Sequence, residues 1–226
     1  MEPIILNDIP FEIDMEALKK RLRLKEGSPL IADLAGLVQE ALKIGRPKAL
    51  YGVAFIDSKG EDSVMVDGIG FTSRVLRINL DPVHRVFPFV ATCGMELQDW
   101  AETKDDMLQG FWAETIKEFA LQSARVALEA HLGATFQPGA TSTMNPGSLE
   151  DWPITQQRPL FTLLGDTEAL IGVRLTDTML MVPTKTVSGM RFQTDTSFVS
   201  CMLCPREECP NRRAARDENV AGKYRQ

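Results

Sequence analysis

Arg174 to Phe192, RLTDTMLMVPTKTVSGMRF, is the stretch on which the reading of the whole chain turns. It reads as a strand, a bend marked by Pro183, a second short strand and a Ser188-Gly189 turn, because apolar and β-branched runs alternate there with turn-forming residues. Working back toward the N-terminus, Thr155 to Leu164 reads as a helix, and Pro138 to Pro153 as a loop of Gly, Ser, Thr and Pro. That loop is too long for a simple turn, and loops of this length within a domain tend to carry function.

Trp100 to His131 carries the longest helical pattern, with Leu108, Phe111, Trp112, Ile116, Phe119 and Ala120 recurring every three or four residues and Gly133 as its stop. Ahead of it come four strand-like runs: Ala49 to Ile56, Ser63 to Asp67, Arg74 to Leu80 and Phe87 to Cys93. Two amphipathic helices, Asp14 to Leu24 and Leu30 to Ile44, open the chain, the first with Asp14 as N-cap and the second stopped at Gly45-Arg46-Pro47. Strands in one run, then helices, then strands again imply an α+β fold with a largely antiparallel, twisted sheet and flanking helices. We expect residues 1–200 to form one domain and residues 201–226 a cysteine-rich C-terminal tail.

Composition narrows the function. The chain has 226 residues, 44% of them hydrophobic, which is enough for a substantial core. Its formal net charge is −6 and its pI about 5.1, so the surface as a whole repels phosphate backbones and nucleic acid is not expected as a partner. The longest apolar runs fall well short of the roughly 20 residues a membrane helix needs, and the N-terminus, MEPIILNDIPFEID, is acidic and broken by proline rather than basic and then apolar. The expectation is a cytoplasmic protein that does not enter a membrane. The basic residues Arg212, Arg213, Arg216, Lys223 and Arg225 read as a solvated tail.

Cys201, Cys204 and Cys209 form a C-x2-C-x4-C cluster, stiffened by Pro205 and Pro210. In a reducing compartment a disulfide framework is not expected there, and the spacing lets thiolates converge on a soft ion. We expect a metal site on Cys201, Cys204 and Cys209, an iron–sulfur cluster ahead of zinc, with Cys93 as the fourth ligand. The other reading of Cys93 is a small core residue. His84 and His131 have no partner at a spacing that suggests a catalytic triad, Glu150-Asp151 and Asp105-Asp106 read as loop or helix-start charges, and no phosphate-binding glycine loop is visible.

Lettering now adds to pattern. Arg174, Leu175, Thr176, Asp177, Met181, Pro183, Val187, Ser188, Gly189 and Phe192 resemble, in one ungapped register, a motif of the reactivation domain of cobalamin-dependent methionine synthase. Asn145, Pro146 and Gly147 stand where that family has its Ala-Pro-Gly-Tyr turn, with the helix Ile154 to Leu164 at the same spacing after it. The helix Phe111 to His131 and the Thr92-Cys93-Gly94 triplet match more loosely.

The resemblance implies a curved sheet with helices on its flanks, a site for S-adenosylmethionine, and docking over a cobalamin-carrying domain in which inactive cob(II)alamin is reductively methylated. It implies that Asn145, Pro146, Gly147 and Ser148, with Thr186, Val187, Ser188 and Gly189, line the ligand site, and that cobalamin is presented by the partner. The family's Arg-x-x-Pro-Gly-Tyr element uses its arginine to grip the ligand carboxylate; here Thr143 occupies the arginine position and Ser148 the tyrosine position. A threonine provides no such ionic grip. A chain starting at Met1 fits a stand-alone module acting on methionine synthase or another corrinoid protein. Two alternatives remain at this point: an iron–sulfur protein that delivers the rescuing electron, and a non-catalytic docking partner with a structural zinc.

Overall fold

β1 (Pro3–Leu6) enters the sheet at once, and two helices, α1 (Met15–Arg21) and α2 (Leu30–Ile44), follow before the chain returns in β2 (Lys48–Gly52) as its antiparallel neighbour. This is a computed structural model, and it describes residues 1–194, 198–206, 208–209, 212–218, 222 and 224. β3 (Ala54–Lys59), β4 (Ser63–Val66) and β5 (Ile69–Thr72) form an antiparallel meander, and α3 (Arg74–Asn79) leads into β6 (Arg85–Thr92). Two helices come next, α4 (Met95–Glu102) and α5 (Met107–Phe136), and then β7 (Thr141–Met144). The chain closes with α6 (Gln157–Leu164), α7 (Thr167–Ile171), the hairpin of β8 (Arg174–Leu175) and β9 (Met181–Val182), and the long strand β10 (Thr186–Gln193).

β6 is the spine. One of its edges pairs with β2 at Phe89 to Thr92 and with β3 at Arg85 and Val86, and the other pairs with β10 from Thr186 to Phe192. Every pairing between named strands is antiparallel. A strand buried on both faces must be apolar at odd and even positions alike, and VFPFVA within β6 is. Val86 and Val90 face one core with Leu50, Met190 and Phe192, covered by Leu160, Leu163 and Leu164 of α6 and Ile171 of α7. Phe87, Phe89 and Ala91 face the opposite core with Ala49 and Tyr51, covered by Ala124, Leu128 and Leu132 of α5. A third cluster, built on Leu34, Leu37, Leu97, Trp112 and Ile116, joins α2 and α4 to the first turns of α5.

The α+β architecture and the flanking helices are as expected, with four local corrections. Arg74 to Leu80 is a helix rather than a strand. Ser73 caps it by accepting the Leu76 N–H, and the Asp151 carboxylate accepts from the N–H groups of Arg74 and Val75 at 3.2 and 2.9 Å. The long helix breaks at Thr103 to Asp106 into α4 and α5, and α5 passes Gly133 to end at Phe136, where Gln137 takes the left-handed conformation at φ 43°. The loop from Pro138 contains β7, a strand because β10 supplies its ladder. Ser188-Gly189 is no turn: both lie in the middle of β10, opposite Val90 and Phe89.

Among the described residues no helix is long and apolar enough to cross a membrane. The described part of residues 201–226 folds back on the body of the protein: Leu203 and Tyr224 pack against the core that holds Val86 and Val90, and the Tyr224 hydroxyl donates to Asn79 Oδ1 at 3.0 Å. Lys223 and Arg225 lie outside the described residues, as does Pro210.

Candidate functional site

β7 runs beside β10 opposite Gln193 to Met190 and then leaves the sheet. Asn145 makes the departure possible: its side-chain amide donates to the Ser188 carbonyl at 2.7 Å and so extends the ladder by one rung after the backbone has turned away. Gly189 lets it come that close. A Cβ there would stand 2.4 Å from the Met144 carbonyl and 2.5 Å from the Asn145 amide nitrogen. The chain then turns at Pro146-Gly147, where Gly147 has φ 82° and donates its N–H to the Trp152 carbonyl at 2.7 Å.

Where β7 peels off, a cleft of about 1190 Å³ opens along the edge of β10. Asn145, Pro146, Gly147 and Ser148 line one side, and Thr186, Val187 and Ser188 line another. Residues from two separated motifs thus share one cavity. Gly189 is buried just behind it. The third wall is α5, through residues such as Gln122, Arg125 and Glu129, and the C-terminal segment supplies Ser200, Cys201, Cys204 and Cys209.

At one end the wall is held by a buried lysine. Lys117 Nζ is fully buried and donates to Gln98 Oε1 at 2.8 Å, Glu114 Oε1 at 2.7 Å and Thr184 Oγ1 at 3.1 Å. Each donor proton has an acceptor, which makes a buried ammonium tolerable, and the network ties α4 and α5 to the residues leading into β10. The cis Val182–Pro183 bond lies in this lead. Beside it Glu118 accepts from Arg21 and Lys185, each at 3.0 Å. Burial alone would push the Glu118 carboxyl up, but the hydrogen bonds from Lys185 and Arg21 outweigh it and hold its pKa below the ordinary value.

The cysteine segment is held together by backbone contacts rather than through its thiols. Among the described residues no three His, Cys, Asp or Glu side chains are grouped to hold an ion. The loop is organised around a guanidinium instead: Arg212 donates to the carbonyls of Cys201, Cys204, Arg206 and Ala214 at 2.5 to 3.2 Å. Arg212 and its neighbour Arg213, which read from sequence as solvated, therefore belong to the cleft. Cys93 lies elsewhere. It is fully buried at the end of β6 in the cluster with α2 and α4, and burial pushes its thiol up to about 11, with the nearby Lys117 ammonium only partly offsetting it. Burial also pushes the Cys201 thiol up, but there the backbone N–H groups of Arg213 and Ala214 and the Arg213 charge overcome it, leaving the pKa below the usual thiol value.

Sequence reasoning missed Arg125, Arg191 and Lys117. Thr143 stands at the position where the resembled motif has an arginine, and in the β7–β10 ladder the residue directly opposite Thr143 is Arg191, with both lining the cleft. No sequence spacing relates residues 143 and 191; only the register does. Among the described residues, Gln157 Oε1, Ser188 Oγ, Ser200 Oγ and Arg191 Nε are buried without a hydrogen-bond partner, and all four residues line the cleft.

The fold has a known counterpart. The solved structure of the MetH reactivation domain bound to AdoHcy superposes with a TM-score of 0.59 at 15% sequence identity, covering 88% of this chain and 81% of that one. The two share the antiparallel sheet with flanking helices. No protein-family model and no curated protein sequence matches the chain.

Proposed function

We propose that this chain is a reactivation module for a corrinoid protein, binding S-adenosylmethionine in the β10 cleft and supporting reductive methylation of inactive cob(II)alamin in a cobalamin-dependent methionine synthase or a related protein. The observation that carries the reading is the convergence of Asn145 to Ser148 and Thr186 to Ser188 on one cavity, in a fold shared with a domain solved with AdoHcy. We read the chain as acting in trans, in the cytoplasm, with cobalamin presented by its partner.

The cavity's chemistry fits an adenosyl ligand. Its walls mix apolar groups such as Phe89 and Val187 with hydroxyls, an amide and guanidinium groups, the combination that buries an adenosyl thioether and fixes its polar ends. The unsatisfied Ser188, Ser200 and Gln157 groups are what a ligand would satisfy, since buried polar atoms without partners cost stability. Pro146 and Gly147 line the cavity, and a Cβ at Gly147 would stand 2.7 Å from Ile154 Cδ1, another lining residue. S-adenosylmethionine supplies the methyl group; the chain's own residues bind and orient it and keep water from it.

A second reading gives Cys201, Cys204 and Cys209 an iron–sulfur or zinc centre and makes the chain an electron donor or docking partner. Its support is that all three cysteines line the same cleft. The guanidinium-centred loop weighs against it, and metal analysis of anaerobically purified protein decides it. The test of the first reading is the rate at which an inactive cobalt(II) methionine synthase core returns to its methylated form, with reductant and S-adenosylmethionine, in the presence and absence of this protein. Acceleration is expected; no acceleration of any corrinoid protein tried removes the reading.

A further inference from the structure

Among the described residues, six basic side chains, Arg21, Arg125, Lys185, Arg191, Arg212 and Arg213, line the cleft against two acidic ones, Glu118 and Glu129, in a chain whose net charge is −6. Positive charge is therefore concentrated here against the trend of the molecule. The pairings divide it. Arg21 and Lys185 share Glu118, Arg212 is engaged with the carbonyls of the cysteine loop, and Arg191 pairs with Glu129. Arg125 and Arg213 remain, and neither is ion-paired among the described residues; Arg125 donates to the neutral Gln122 Oε1 at 3.3 Å.

Arg125, Arg191 and Arg213 come from α5, β10 and the C-terminal segment, yet they are near enough to feel one another. Burial pulls the Arg125 pKa down, Glu129 pushes it back, and the charges of Arg213 and Arg191 pull it down again. Like charges gathered in a half-buried wall repel by an amount that grows as water is excluded. Among the described residues, Glu129 is one carboxylate for three guanidinium groups. Arg191 is 17% exposed, its Nε has no acceptor, and the buried hydroxyls of Ser188 and Ser200, both residues more than nine-tenths buried, line the same cleft with no partner. Guanidinium groups with spare donors are suited to a planar or tetrahedral oxyanion, which they bind in a fork.

We infer that Arg125, Arg191 and Arg213 form an oxyanion site at one end of the cleft, which grips the carboxylate of the bound ligand and accepts a phosphate in its place. The inference rests on the cleft being a ligand site, as proposed above, and it assigns the anchoring to residues outside both sequence motifs.

Three probes separate the two claims: AdoHcy, which carries an amino-acid carboxylate; 5′-methylthioadenosine, which keeps the adenosyl thioether and lacks it; and inorganic phosphate. Calorimetry and thermal melting of the full chain and of the Arg125→Gln and Arg191→Gln variants give the readout. The expected result is that AdoHcy binds at least about tenfold more tightly than 5′-methylthioadenosine and that either substitution removes most of that gap, since charge-assisted bonds of this kind exceed a tenfold step. Phosphate should raise the melting temperature of the unaltered protein and do less for Arg125→Gln. Equal affinity for the two adenosyl ligands, unchanged in Arg125→Gln, overturns the oxyanion site and leaves the adenosyl site standing. Phosphate stabilisation that depends on Arg125, with no binding of either adenosyl ligand, keeps the oxyanion site and removes the adenosyl reading. No response to any of the three probes overturns both. Should Arg191→Gln fail to fold for want of its Glu129 bridge, Arg125→Gln, which breaks no ion pair among the described residues, carries the test.

Discussion

The two edges of β10 obey different rules. The inner edge is zipped to β6 residue for residue from Thr186 to Phe192, with apolar side chains covered on both faces. The outer edge is paired with β7 through Gln193 to Met190 and then handed to one asparagine amide, beyond which the cleft begins. On the inner side the backbone ladder runs without a gap, and Met190 and Phe192 are fully buried. On the outer side, polar atoms stay unsatisfied and like charges are gathered, a local cost that the inner edge must offset.

If that division holds, truncation at the spine should hurt most. Phe87→Ala removes a fully buried ring that packs on Phe136 with centroids 5.3 Å apart, and should cost about 4 kcal/mol in urea-induced unfolding. A loss below about 1 kcal/mol would mean the spine does not carry the stability assigned to it. Gly189→Ala probes the outer edge. Its methyl would collide with the Met144 carbonyl and the Asn145 amide, so a destabilisation of about 3 kcal/mol is expected, along with displacement of the Asn145 turn. An unchanged unfolding midpoint would show that β7 and β10 part without effort.

The thiols sharpen the contrast without any mutation. Cys93 belongs to the closed region and Cys201 to the cleft, with one thiol raised to about 11 and the other held below its ordinary value. The thiolate is the reacting species, so alkylation at neutral pH followed by mass spectrometry should mark Cys201 at least about a hundredfold faster than Cys93. Comparable rates would mean that Cys93 is reached by solvent.

The smallest effect concerns Glu118, whose carboxyl is held below its ordinary pKa in the folded protein by Lys185 and Arg21. A depressed folded pKa adds stability above the unfolded value and loses it as pH falls through the folded one. Glu118→Gln should therefore cost less than about 1 kcal/mol at neutral pH, because the group is partly exposed, and the difference from the unaltered protein should shrink as pH drops below about 4. A difference that grows in acid would reverse the assignment.

The inner edge was the more legible of the two in sequence. Phe87 to Cys93 and Leu30 to Ile44 declare themselves by apolar spacing, and Asp14 by its capping position. Arg74 to Leu80 misled because Val75, Leu76, Ile78 and Leu80 suit either period; what makes it a helix is a carboxylate 76 residues from Val75, an acceptor that no local window contains. β7 is a strand by virtue of its neighbour, in a run whose residues alone say loop. At the site, the motif segments were readable because each is continuous, whereas Arg125 and Arg191 meet through a helix face and a strand register, and Lys117 is placed by Gln98 and Thr184. The cysteine spacing is compatible with an ion, whereas the Arg212 guanidinium that holds the loop's carbonyls leaves no mark in that spacing.

Asp151 joins the loop that forms the cleft's turn to the first turn of α3, where it accepts from the Ser73 hydroxyl and from the amide protons of Arg74 and Val75. Were that loop to lift from β10 and carry Asp151 with it, those two protons would lose their acceptor. Their hydrogen-exchange rates would then report on the cleft from the far side of the loop, with no ligand, label or partner added.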